Sequence, residues 1–111
     1  MRIVLACLVV LATSVGGSGR APAQQYAAVG IGTASCATWA ITRRNGDATH
    51  YEQWVAGFYS GADFVGKASS SKPLPQTDAN GVWVWMDNYC QSHPVETIAG
   101  AMAEFVNAHL R

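Results

Sequence analysis

The chain has 111 residues, half of them hydrophobic and 13% charged, with seven Lys and Arg against seven Asp and Glu. That length bounds it to one domain, and the balanced charge leaves no basic footprint for nucleic acid or anionic lipid. Low charge together with four Trp and four Tyr also argues against disorder, because such a composition has apolar area to bury.

The N-terminus reads as a secretion signal. Arg2 is followed by an apolar run from Ile3 to Leu11 and by small residues ending in Ala21-Pro22-Ala23, an A-x-A cleavage site. The run is too short for a spanning helix, which needs about 20 apolar residues. Residues 1–23 are therefore expected to be a cleaved signal peptide, and the chain a secreted protein of the periplasm with no membrane span. Cleavage removes Cys7 and leaves Cys36 and Cys90 in an oxidising compartment, where an even pair is most simply a disulfide. Closing a loop of that length contributes about 4 kcal/mol by restricting the unfolded state. The remaining 88 residues carry five bases and seven acids, a net charge of −2.

Residues 24–34 are small and Gly-rich, and are expected to be a flexible leader to a helical domain over 35–111. Ser35 is placed to cap a first helix carrying Trp39 and Arg43, ended by the turn dipeptide Asn45-Gly46. Asp47 precedes the clearest helical pattern, with Tyr51, Trp54, Val55, Phe58, Ala62 and Val65 on one face and Gly66 as the stop. The run Lys67–Pro75 reads as a loop from its serines and prolines.

A third helix is expected from Thr77 or Asp78 to about Ser92, with Val82, Trp85, Met86, Tyr89 and Cys90 on one stripe. The uninterrupted apolar run Val82–Met86 leaves a buried strand open as the alternative. Pro94 fits the first position of a last helix, with Glu96 in its first turn and Ile98, Ala99, Met102, Phe105, Val106 and Leu110 on its buried side. The fold class is all-α: a small four-helix domain with one disulfide tying the first helix to the third.

Three stretches, in this order, resemble the HdeA/HdeB-type acid-stress chaperones of the bacterial periplasm: Ser35-Cys36 with Trp39 after it, Trp54 through Gly57-Phe58-Tyr59 to Gly61, and Tyr89-Cys90 through His93-Pro94 to Thr97 and Ala101. The resemblance covers residues 35–106. It implies an all-helical fold, a disulfide between the matching cysteines, no catalysis, a homodimer at neutral pH, and loosening in strong acid to hold unfolding clients. The chain departs from that branch in being poor in lysine. A looser likeness, through Gly57-Phe58 and His93-Pro94, is to Rap1a/Tai-type immunity proteins, which implies one secreted enzyme as the partner.

Candidate partner-contact residues are Trp83, which lies off the third helix's stripe, and Phe58 and Tyr59 on the second helix. Gly57 and Gly61 are read as admitting a close neighbouring helix rather than forming a groove. Cys90-x-x-His93 places a thiol and an imidazole near one helical face, but nucleophilic or metal chemistry there needs a free thiolate, and a bridge to Cys36 leaves none. No catalytic residue, metal or cofactor is expected. Below about pH 3 the five bases and three histidines replace the charge of −2 by +8, which permits loosening by self-repulsion.

Overall fold

A computed structural model describes residues 27–68 and 74–109. The expected signal peptide 1–23, residues 24–26 of the leader, residues 69–73 of the serine-rich loop and Leu110 lie outside the described residues. After a 3-10 turn at Gly30–Thr33, four helices follow in chain order: α1 Cys36–Asn45, α2 Thr49–Ala68, α3 Ala79–Ser92 and α4 Ile98–His109. Among the described residues there is no strand, only an isolated antiparallel bridge between Ser35 and Thr97. The segment Val82–Met86 is helical.

Local chemistry accounts for most of the boundaries. Ser35 Oγ accepts from Thr38 N at 3.1 Å and caps α1, and Gly46 ends it at φ 70°, a left-handed conformation that glycine adopts without steric cost. Asp78 caps α3 by accepting from Gly81 N at 2.9 Å. The last helix starts four residues later than Pro94 predicts. The carbonyls of Pro94 and Glu96 turn away from the helix axis to accept from Ala37 N and Cys36 N at 3.0 and 2.7 Å, while Ile98 N donates to the Ala34 carbonyl at 2.8 Å. Thr97 caps α4 instead, its hydroxyl accepting from Gly100 N at 2.9 Å.

The core is Trp39, Val55, Val82, Met86, Ile98, Ala101, Met102 and Phe105 around the Cys36–Cys90 disulfide, which ties α1 to α3. Its makeup follows the i, i+4 spacing of Val82, Met86 and Cys90 on α3 and the i, i+4, i+7 spacing of Ile98, Met102 and Phe105 on α4. Helix α2 differs from its sequence reading. Val55 is its one fully buried side chain among those described, Trp54 and Phe58 pack against the core half-buried, and Val65 is 62% exposed. The reason is length: at 20 residues α2 runs about 30 Å and α4, at 12, about 18 Å, so the last turns of α2 overhang. The helix also passes Gly66 and reaches Ala68.

Residues 27–34 depart from the expected flexible leader. Gly32 is buried, and Trp54 Nε1 donates to the Val29 carbonyl at 3.0 Å, so this segment is packed onto α2.

Candidate protein-binding surface

The three residues expected to meet a partner each have an internal role. Trp83 is half-buried and donates its indole N–H to the Glu52 carbonyl at 3.0 Å, which binds α3 to α2. Helical phase placed it off the α3 stripe correctly, but α2 occupies that side. Phe58 lies with its ring 5.5 Å from Trp54, and Tyr59 donates its hydroxyl to the Pro75 carbonyl while its ring edge meets Phe105 at 6.0 Å. Their neighbours differ, so they do not make up one patch.

The glycines are corrected more sharply. A Cβ built on Gly57 or Gly61 would meet nothing within 4 Å, so neither admits a neighbouring helix. Both face outward, and Phe64 beyond them is 73% exposed. With Gln53 and Ser60, also exposed, they form an uncharged outer face on α2.

Sequence reasoning missed an ionic junction of three helices. Arg43 of α1 donates from Nε and Nη2 to the two carboxylate oxygens of Asp87 on α3 at 2.9 and 2.7 Å, and from Nη1 to Glu52 of α2 at 2.8 Å. Asp87 Oδ1 also accepts from the indole N–H of the buried Trp39 at 2.9 Å. The guanidinium lies 5.7 Å from the Trp39 ring and 5.9 Å from the Trp83 ring, within cation–π range of both. Hydrogen bonding to Asp87, opposed by burial and reinforced by Glu52, holds Arg43 protonated well above the ordinary arginine range. A signal existed: Arg43 sits one turn after a core tryptophan, and Asp87 one turn after Trp83.

Beside this junction Ala40, Arg43, Arg44, Asp87 and Gln91 line an open groove of about 410 Å³. The site contains no free thiolate, since Cys90 is bonded to Cys36. His93 closes α3, its Nδ1 2.8 Å from the Tyr89 carbonyl and its ring stacked on Tyr89 at 4.0 Å. Among the described residues no group of three or more His, Cys, Asp or Glu side chains is arranged to hold a metal ion. None of the described helices is long and apolar enough to cross a membrane.

Compared with protein-family models, curated proteins and solved structures, the chain matches none.

Proposed function

We propose that this chain is a non-catalytic protein-binding protein of the periplasm that holds unfolding clients under acid stress, in the manner of the HdeA-type chaperones it resembles. The observation that supports this reading best is the Arg43 junction. Arg43, 24% exposed, is the hub between α1, α2 and α3, and both its anionic partners are carboxylates. In strong acid carboxylates as a class are protonated while a guanidinium keeps its charge. Ionic ties between three helices, unlike the apolar packing beside them, are the kind of contact on which acid loosening acts.

The disulfide does not titrate, so α1 and α3 stay joined as their polar contacts weaken. Half-buried Trp54, Phe58, Trp85 and Tyr89 border the core and supply apolar area on loosening. The test is near-UV circular dichroism together with light scattering from an acid-labile client at pH 2–3. Loss of the near-UV signal with lowered scattering is the expected outcome. A signal that persists, with scattering equal to that of an inert control protein, overturns the reading.

A second reading, a dedicated inhibitor or immunity protein, is favoured by the outer face of α2. Phe64 and the open glycines are exposed in the folded state, without acid. Pull-down from periplasmic extract at pH 7 and pH 3 separates the two: one stoichiometric enzyme at pH 7 supports the inhibitor, many proteins at pH 3 the chaperone.

A further inference from the structure

Gly32 is buried at the edge of the fold. A Cβ placed on it would lie 2.2 Å from Cζ2 of Trp54 and 2.4 Å from two neighbouring ring atoms, so the glycine backbone rests directly on the indole. The nitrogen side of the same ring is tied by the 3.0 Å hydrogen bond to the Val29 carbonyl. Gly30, between them, has φ 80°, so the turn itself requires glycine.

The attachment is asymmetric. At Ala34–Cys36 the chain is fixed by the bonds to Ile98 and Glu96 and by the disulfide. At Val29 the described contact is the single indole bond. Of the larger side chains of the segment, Val29 is 77% exposed, while Ile31, 38% exposed, is covered over more than half of its surface. Residues 29–34 therefore form a strap hinged at the disulfide-bonded end and lying against α2 and α4, with the Trp54 ring as the latch of its far end.

We propose that this strap is the internal occupant of a client-binding slot on α2: it covers Trp54 while the fold is closed, and its release opens the slot to an extended segment of an unfolded chain. The proposal rests on the client-holding reading above and adds its regulation. The strap itself defines what the slot accepts. A small residue lies against the ring, and a backbone carbonyl three residues earlier takes the indole N–H. Ile31, 38% exposed, is the one larger side chain of the strap that is more than half covered, so recognition falls mainly on backbone and small residues, which suits many unrelated clients. Phe58, 5.5 Å from the Trp54 ring, extends the uncovered surface.

The test compares the chain expressed without residues 1–23 with its Gly32→Leu variant at pH 7, using Asn88→Leu, which adds the same side chain at an exposed position of α3, as control. Gly32→Leu is expected to speed amide hydrogen exchange at residues 30–34 at least tenfold with α3 and α4 unchanged, to raise hydrophobic-dye binding severalfold over the control, and to bind a synthetic peptide of residues 27–34 that the parent chain does not bind. A folded variant with faster exchange but no gain in dye or peptide binding overturns the proposal. If Gly32→Leu loses its near-UV signal, Trp54→Phe, which removes the indole N–H together with part of the ring that Gly32 lies on, decides by amide exchange at residues 30–34 and by dye binding. Client protection by the parent chain at pH 2–3 is scored separately. Protection without any strap effect overturns the strap alone; strap effects without protection overturn the chaperone reading and leave the slot standing.

Discussion

Trp39 and Asp87, 48 residues apart in sequence, are joined by an indole-to-carboxylate hydrogen bond of 2.9 Å that links the buried aromatic of α1 to the polar surface of α3. The same carboxylate holds Arg43, so one side chain satisfies a core donor and an interhelical cation together.

Asp87→Ala should therefore cost more than a surface substitution. It leaves the Trp39 N–H without its acceptor and Arg43 with only Glu52, a loss of about 2–3 kcal/mol. Asp87→Asn keeps an acceptor for the indole and should cost about half as much. Urea unfolding monitored by circular dichroism gives both values, and equal losses would show that the charge of Asp87 matters and its hydrogen bond to Trp39 does not.

Gly57→Ala and Gly61→Ala should each stabilise the fold. A methyl group at either position enters open space, and alanine in place of a helix-interior glycine gains about 0.5–1 kcal/mol. Thermal melting of the single and double variants measures the gain. A lowered melting temperature would reveal a contact on this face, such as a second copy of the chain.

Large-to-small changes should rank by burial rather than by residue size. Met102→Ala removes a fully buried side chain of α4 and should cost about 2–5 kcal/mol. Phe58→Ala removes a larger but half-buried one and should cost less, near the lower end of that range. A larger loss for Phe58 in the same denaturation series would place α2 deeper in the core.

Alkaline stability should depend on Tyr89. Its ring is stacked between Trp85 and His93, and burial first, then the charges of Glu96 and Glu104, raise its pKa above the ordinary value of 10.0. The folded chain thus holds this proton more tightly than the unfolded one. The contribution is complete below about pH 10, where both states are protonated, and is lost as pH rises through the folded-state value. Unfolding free energy measured from pH 9 to 12 should fall, and Tyr89→Phe should flatten that fall. Identical slopes for the two proteins would remove Tyr89 as the cause.

Much of this fold was legible because its punctuation is local. Ser35, Gly46 and Asp78 act within three residues of the helix ends that they set, and the expectation that Cys7 leaves with a signal segment was enough to pair Cys36 with Cys90. The start of α4 was not legible, since the carbonyls that would have begun it at Pro94 are used by the N-terminus of α1, more than fifty residues upstream. Trp83 shows the same limit at the candidate site: periodicity gave its side of the helix correctly and said nothing of α2 lying there. Gly32 reads as looseness because the ring that requires it lies beyond the next helix.

The connectivity of the Cys36–Cys90 bridge also decides what kind of object an opened chain would be. All of α2, with Trp54 and Phe58, lies between the two cysteines, while α4 lies beyond the second. A loosened molecule is thus a covalent ring with a detachable tail. Helix α4 can drift away as the tail, but α2 can only bow outward between two fixed points, so its aromatic face is presented on a tethered bight of chain that cannot unravel. Closing again requires the bight to settle and the tail to return, without a fresh search for the pairing of α1 with α3.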